Sequence, residues 1–242
     1  MTVNGHRRGG DITVASYNIR AARGRDRRRD PGRIVAVIGE TGADIVGLQE
    51  VAAHHGPGNG IDQFHFFERA TGFHGVAGAN ITVGSGRFGN ALLSRWPIRS
   101  ARLIDLSVPP YEPRGAIDAR IDAGGTALRV IVTHLGLRRR ERRRQLTRLS
   151  ELIGDDDGPT VIMGDFNAWA FERPLLAGVG APADPSLIPR SYPTGLPVLA
   201  LDRVWTEPGH HLRDVAVHRS RRAAVASDHY PVTARIAVAD GA

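Results

Sequence analysis

The sequence predicts a mixed α/β domain built on two packed β-sheets. Short apolar runs rich in β-branched residues recur along its whole length, and several alternate apolar with polar residues. Such alternation is typical of half-buried antiparallel strands. Only a few segments between the runs have a helical pattern. Many strands with a few interspersed helices favour a mixed α/β domain built on a two-sheet sandwich.

Eight runs bounded by turn residues are predicted as strands. They are 11–19, 43–51, 88–94, 115–122, 127–135, 159–167, 200–206 and 228–238.

Three segments are predicted as helices. Residues 31–42 have a proline near the start and a glycine at the end, which is the expected asymmetry. Residues 62–72 form a second candidate, and 138–154 combine an apolar face with a final glycine. The arginine-rich segment 22–33 is predicted to be a solvated loop.

The chain contains no internal repeat and no linker that would divide it. With 242 residues it can bury a sizeable core, and we expect a single catalytic domain over 11–239 after a flexible lead-in over 1–10. The lead-in has no apolar stretch of the kind found in secretory signals. No run is long and apolar enough to suggest a transmembrane helix. Together with the absence of cysteine, this favours a cytoplasmic location.

The charge composition excludes several chemistries. The net charge is +7, and all 32 basic residues are arginine. The absence of lysine excludes a Schiff-base lysine and a P-loop lysine, and the absence of cysteine excludes thiol nucleophiles. A basic surface attracts anionic partners in general, including nucleic acid, anionic lipid and phosphate esters.

Polar residues stand where strands are predicted to begin or end. Taken alone, a histidine at a strand end is usually structural, and an aspartate beside a turn usually caps it. Charged groups are rarely buried unless paired or bound to a metal, so the joint occurrence of eight such residues indicates a site. They are Asn18, Glu50, His134, Asp165, Asn167, Asp202, Asp228 and His229.

The ordered motifs "SYNIR", "LQE", "GNALLS", "THL", "GDFN", "LDRVW" and "SDHYPV" resemble the endonuclease/exonuclease/phosphatase superfamily. This superfamily includes DNase I-like nucleases, AP endonucleases, sphingomyelinases and inositol polyphosphate phosphatases. The resemblance extends from Tyr17 to Val232. It implies a four-layer α/β/β/α sandwich of two mainly antiparallel sheets, with the active site at one end. It also implies a divalent cation, usually Mg²⁺, with Mn²⁺ as a substitute.

The resemblance assigns the metal ligands by position. Glu50 matches the principal ligand, with Asn18 beside it. Asp228 matches a second-site ligand or a hydrogen-bond partner near the metal. A hard cation held by few protein oxygens, which keeps several of its waters, suits such a set.

The catalytic residues follow in the same way. His229 matches a general base or transition-state contact, and Asp202 matches the acid that orients it. A carboxylate beside a neutral imidazole fixes its tautomer and raises its basicity. Asp165 would orient the attacking water, and Asn167 would donate to a phosphoryl oxygen.

Three further residues complete the predicted site. His134 matches a second histidine that assists the leaving group or binds phosphate. Arg114 falls where some branches place a phosphate-binding arginine and AP endonucleases place a tyrosine. Asn90 is predicted as a supporting residue. The combination of His134 with Arg114 argues against an AP endonuclease.

The implied reaction is metal-assisted, in-line attack of water on a phosphoester. A phosphodiesterase or phosphatase acting on a small or lipid-linked ester is favoured, and a DNase-like nuclease is the alternative. The third alternative, a binding module without activity, is disfavoured by the intact polar set. Nothing in the sequence indicates an obligate protein partner. The segment "LRRRERRRQ" is interpreted as a solvated helix face, with an electrostatic footprint for nucleic acid or an anionic membrane as the alternative.

Overall fold

The computed structural model describes residues 10–53, 61–83, 86–154 and 158–237. Residues 1–9 of the predicted lead-in and the predicted domain end at 238–239 lie outside these ranges. The described strands are β1 (Ile12–Asn18), β2 (Ile45–Ala53), β3 (His74–Val83), β4 (Gly86–Ser94), β5 (Ile98–Asp105), β6 (Gly115–Ala123), β7 (Thr126–His134), β8 (Thr160–Asp165), β9 (Asp202–Glu207), β10 (Leu212–Val217) and β11 (Val232–Ile236). The described helices are α1 (Pro31–Thr41), α2 (Gln63–Thr71), α3 (Arg139–Gly154), α4 (Arg173–Ala177) and α5 (Ala223–Ala226).

The strands form two sheets. One has the order β10-β11-β1-β2-β4-β3, and the other has the order β5-β6-β7-β8-β9. The β1–β2 and β7–β8 pairs are parallel, and every other described pair is antiparallel. Both parallel pairs are joined by a helical crossover, α1 in the first sheet and α3 in the second.

Three apolar clusters separate four layers. Val14, Ile45, Val132 and Met163 belong to the cluster between the two sheets. A second cluster lies between α1, α2, α5 and the outer face of the first sheet. The third lies between the second sheet and α3 with α4. The predicted α/β/β/α sandwich is therefore confirmed. Among the described helices, none is long and apolar enough to cross a bilayer.

The predicted helices form where their capping signals occur. The Asp30 carboxylate accepts from the Arg33 N–H at the start of α1, and that of Asp62 accepts from the Phe64 N–H at the start of α2. Both helices end at a glycine with positive φ, +63° at Gly42 and +69° at Gly72.

Two predicted strands are at least three residues longer than the observed ones. The strand predicted over 159–167 ends at Asp165, because the chain turns and Asn167 adopts a left-handed φ of +50°. The last strand begins at Val232 rather than at 228. The amides before it are engaged in the loop, where His229 N–H donates to Ser227 Oγ and Tyr230 N–H to the Ser191 carbonyl.

The arginine-rich helix is only partly the solvated face that the sequence predicts. Arg142 and Glu141 are buried. The Arg142 guanidinium pairs with the Glu172 carboxylate at 2.6 and 3.2 Å. Glu172 also accepts from the Trp169 N–H at 3.0 Å. This buried pair joins α3 to the loop that follows β8.

Candidate active site

The polar strand ends meet at one end of the sandwich. Parallel pairing of β7 with β8 places His134 opposite Asp165, and antiparallel pairing of β8 with β9 places Asp165 opposite Asp202. Asn18 ends β1 in the other sheet. Its Nδ2 donates to Asp165 Oδ2 at 3.0 Å and to Glu50 Oε1 at 2.9 Å. Asn18 therefore connects the two sheets at the site.

Glu50 lies inside β2 and not at its end, which corrects the expectation from the sequence. The β2–β4 ladder shifts register between Leu48 and Val51, and Glu50 has a φ of +58°. A bulge of this kind redirects a side chain without ending the strand. It turns the Glu50 carboxylate toward Asn18.

His229 and Asp202 form a buried dyad. The distance between His229 Nδ1 and Asp202 Oδ2 is 2.8 Å. Ser191 Oγ donates to the same Asp202 oxygen at 2.5 Å, and the Tyr192 ring packs against the imidazole at a tilt of 46°, with centroids 4.6 Å apart. Because the dyad occupies Nδ1, Nε2 faces the interior of the site, 3.8 Å from Asp165 Oδ2.

The carboxylates around His229 favour its protonated form, although burial raises the pKa of Asp202. Burial disfavours the imidazolium form of His229, but the neighbouring Asp202, Asp165 and Asp228 carboxylates outweigh it and raise the pKa to about 10. Burial likewise opposes ionisation of Asp165. The His134 and His229 rings and the Asn18 amide nevertheless lower the pKa of Asp165 below its ordinary value.

His134 lies between a cation and an amide. Arg114 Nη1 is 3.4 Å from His134 Nδ1, and the Arg114 guanidinium also pairs with Glu112 at 2.9 Å. Burial and the Arg114 charge lower the pKa of His134 to about 4, so the ring is neutral near pH 7. The Arg114 guanidinium and the Asn167 amide nitrogen both face the ring as donors, and a neutral ring accepts at one nitrogen only. We expect the charge-assisted bond from Arg114 to make Nδ1 the acceptor and to leave the proton on Nε2. That nitrogen lies 3.6 Å from Asp165 Oδ2 and 3.2 Å from Asn167 Nδ2.

Asn167 is fixed by the turn after β8. Its N–H donates to Asp165 Oδ1 at 2.9 Å, and its Nδ2 donates to the Leu135 carbonyl at 2.9 Å. Phe166 points the other way, into the apolar cluster beneath α3.

Asp228 and Asn90 lie on the periphery. Asp228 Oδ2 is 3.4 Å from Arg20 Nε. Asn90 Nδ2 donates to the Gly115 carbonyl at 3.0 Å, which joins β4 to the residue after Arg114.

The acidic side of the site has the chemistry of a hard-cation site. Burial raises the pKa of Glu50, and repulsion from Asp165 and Asp228 adds to it. A divalent cation would relieve this repulsion, and carboxylate and amide oxygens are its preferred ligands.

The side chains of Asp165, Asp202 and His229 also bring one ligand atom each within 4.8 Å of one another. In that set, however, Asp202 and His229 are already hydrogen-bonded to each other. The Glu50 side is therefore the better candidate for the cation.

A cleft of about 540 Å³ opens above these groups. Seven of the predicted residues line it: Glu50, Arg114, His134, Asp165, Asn167, Asp228 and His229. Asn18 and Asp202 are buried beneath it, and Asn90 lies to one side. The sequence did not reveal Ser191 and Tyr192, which contact the dyad, or the apolar wall. That wall consists of Phe88, Leu137, Trp169, Tyr192, Leu199 and Leu201.

The comparisons with known proteins agree with this architecture. The model of the "Endonuclease/Exonuclease/phosphatase family" matches residues 15–229. The uncharacterized protein YbhP of Escherichia coli K12 is 35% identical over 214 residues, which cover 80% of this chain and 83% of that protein.

Solved structures share the fold at lower identity. An endonuclease/exonuclease/phosphatase from Beutenbergia cavernae superposes with a TM-score of 0.79 at 22% identity, over 95% of this chain and 72% of its own. A mannosyl-6-phosphatase from Bacteroides thetaiotaomicron superposes with a TM-score of 0.68 at 20% identity, over 94% of this chain and 100% of its own.

Proposed function

The chain belongs to the endonuclease/exonuclease/phosphatase family and is a metal-dependent hydrolase of phosphoric esters; on this premise we propose that it is a Mg²⁺-dependent phosphodiesterase or phosphatase. The main observation behind the proposal is that three side-chain nitrogen atoms lie around one carboxylate oxygen, Asp165 Oδ2. Asp165 Oδ2 lies 3.0 Å from Asn18 Nδ2, 3.6 Å from His134 Nε2 and 3.8 Å from His229 Nε2. Asp165 and the two histidines line the floor of the cleft, and Asn18 is buried beneath it.

Glu50 would hold the cation, with Asn18 and Asp228 beside it. All three side chains offer oxygen ligands, which suit Mg²⁺ and its substitute Mn²⁺. When bound, the cation supplies positive charge that polarises the phosphoryl group and stabilises the leaving oxygen.

Asp165 would accept a hydrogen bond from the attacking water and orient it. Its carboxylate is ionised, and its position between two sheets is fixed by Asn18. Asn167 would donate to a phosphoryl oxygen as negative charge develops there. The turn after β8 holds Asn167 at the cleft.

The two histidines would contact the reacting group from their Nε2 atoms. Asp202 holds His229 in the protonated form, which favours the role of a transition-state donor over that of a general base. His134 is neutral, and with Arg114 donating to Nδ1 its proton would lie on Nε2. It would donate to the phosphate or the leaving oxygen beside Arg114, which supplies fixed positive charge.

The wall of the cleft favours an ester with an apolar organic group. Phe88, Leu137, Trp169, Leu199 and Leu201 line the same space as the polar floor. A small or lipid-linked ester could bury its apolar part there. The alternative is a DNase-like nuclease, which the net charge of +7 favours.

A panel of esters tests the proposal. Wild type and His229→Ala would be compared on p-nitrophenyl phosphate, bis-p-nitrophenyl phosphate, a phospholipid and plasmid DNA, each with Mg²⁺ or a chelator. We expect Mg²⁺-dependent hydrolysis of a small or lipid ester that the substitution abolishes. Equal rates for the two proteins would contradict the assignment. Plasmid nicking that falls steeply with salt, without turnover of the other esters, would identify the nuclease instead.

A further inference from the structure

Exposed apolar side chains are concentrated at the mouth of the cleft. Nine large apolar residues are exposed in the described part of the chain, and six of them lie in the loops that also line the cleft. Phe171 is 65% exposed, Leu137 69% and Leu196 71%. Single exposed apolar residues are common, but a concentration around one opening indicates an interaction surface. The six are Tyr111, Leu137, Trp169, Phe171, Leu196 and Val198.

The aromatic pair at this mouth is held in place by the fold. The Trp169 N–H donates to Glu172, which is buried against Arg142. The Trp169 and Phe171 rings lie 6.5 Å apart, and the Arg139 guanidinium lies 5.8 Å from the Phe171 ring centre. The protein therefore presents these rings to solvent on a supported loop.

The helix beside the rings is strongly basic on its exposed side. Glu141 is the only acid in its first two turns and is buried, where it bonds to Gln145 and the Arg138 N–H. The first exposed acid along α3 is Glu151. The exposed arginines are Arg138, Arg139, Arg140, Arg143, Arg144 and Arg148, and Arg173 follows Phe171 at the start of α4.

We propose that the cleft mouth, which consists of the six exposed apolar residues and the exposed arginines of α3, docks on the surface of a bilayer that contains anionic lipids. Tryptophan and phenylalanine favour the interfacial region, and leucine adds apolar area that can enter it. The arginines of α3 complement the charge of anionic head groups. Docking in this way would turn the cleft toward the lipid head groups. The binding requires no hydrolysis, so it goes beyond the proposed reaction.

A single-stranded nucleic acid is the competing partner, since arginines and aromatic rings also bind bases. The aliphatic members of the surface argue against it. Leu137, Leu196 and Val198 have no face on which a base can stack, whereas a bilayer interface accommodates all three.

Vesicle co-sedimentation in the presence of a chelator tests the proposal independently of catalysis. Vesicles of phosphatidylcholine would be compared with vesicles that also contain phosphatidylglycerol. We expect wild type to pellet with the anionic vesicles only. Arg140→Gln with Arg143→Gln should weaken partitioning about thirtyfold, because each arginine near an anionic surface strengthens binding about fivefold. Trp169→Ser with Phe171→Ser should also weaken it.

Matched controls exist elsewhere in the fold. Arg95→Gln with Arg99→Gln removes the same charge at the opposite end of the sheets, and Leu103→Ser removes an exposed apolar residue from β5. Both controls should partition as wild type does. The proposal is overturned if wild type ignores anionic vesicles, or if the controls weaken binding as much as the cleft-mouth variants. It is also overturned if these variants lose only the binding of a labelled single-stranded oligonucleotide.

Discussion

The hydrogen bond of 2.8 Å between His229 Nδ1 and Asp202 Oδ2 connects the loop before β11 to the start of β9. It crosses from one sheet to the other, because β11 and β9 belong to different sheets. It also determines which ring nitrogen faces the cleft. The dyad is thus both a contact between the layers and the most strongly constrained pair of the site.

Asp202→Asn is expected to lower kcat by about 10²–10⁴-fold, because the amide cannot hold His229 in its protonated, oriented form. His229→Ala should cost a similar factor. The double variant should be no worse than the single ones, since the two residues act as a unit. Steady-state kinetics on bis-p-nitrophenyl phosphate would measure this. Asp184→Asn, an exposed cap, is the matched control, and additive losses in the double variant would contradict the dyad.

Arg114→Gln is expected to remove the preference of the neutral His134 ring for one tautomer. In wild type, ¹⁵N NMR should show Nδ1 unprotonated and Nε2 protonated, because the charged Arg114 is a stronger donor to the ring than the Asn167 amide. The shorter glutamine should give a mixture of tautomers, together with a fall in kcat of about a hundredfold. Arg95→Gln should change neither measurement. A wild-type ring protonated on Nδ1 would refute this arrangement.

The low pKa of His134 predicts a loss of stability in mild acid. The pKa is about 4 in the folded protein and 6.5 in an unfolded chain. Between these values the unfolded chain binds more protons, so stability falls as the pH decreases through this window. Between about pH 7 and about pH 5 this contribution is about 2 kcal/mol. His134→Gln should therefore lose about 2 kcal/mol less than wild type over that range, as measured by urea unfolding. Equal losses would show that His134 is not the titrating group.

The buried pair of Asp118 and Arg129 is expected to be essential for stability. Arg129 Nε and Nη2 donate to Asp118 at 2.8 and 3.0 Å, and both side chains are buried. Asp118→Ala leaves the guanidinium without its carboxylate and should cost about 3–5 kcal/mol of unfolding free energy. Asp122→Ala, which removes an exposed pair with Arg99, should cost less than about 1 kcal/mol. Similar losses of unfolding free energy in the two variants would contradict this difference between the buried and the exposed ion pair.

The sequence was most informative about the centre of the sheets. Strands β1, β7 and β8 were predicted because they are buried on both faces and end in polar residues. The three strands that were not predicted, β3, β5 and β10, all lie at sheet edges. Strand β5 is largely exposed and carries arginines, and β3 is rich in glycine, so neither shows a clear alternation. Edge strands pack on fewer neighbours, and their composition is correspondingly less constrained.

The sequence predicted the members of the candidate site, whose roles stay predictions, but it did not predict their local geometry. The bulge that turns Glu50 inward depends on pairing with β4, which lies about forty residues away and leaves no local pattern. The turn at Asn167 depends on its own hydrogen bonds to Asp165 and Leu135. Ser191 and Tyr192 come from a loop without a motif, and only the folded chain brings them to His229.

The proposed chemistry depends above all on Glu50, which would hold the cation. The most direct measurement is a Mg²⁺ titration of chelator-stripped protein, with bis-p-nitrophenyl phosphate hydrolysis as the readout, for wild type, Glu50→Gln and the exposed control Glu151→Gln. We predict that wild type and Glu151→Gln regain activity at the same Mg²⁺ concentration, and that Glu50→Gln needs at least about tenfold more or stays inactive. Full wild-type activity in chelator, or a Glu50→Gln curve that coincides with that of wild type, would contradict the central claim.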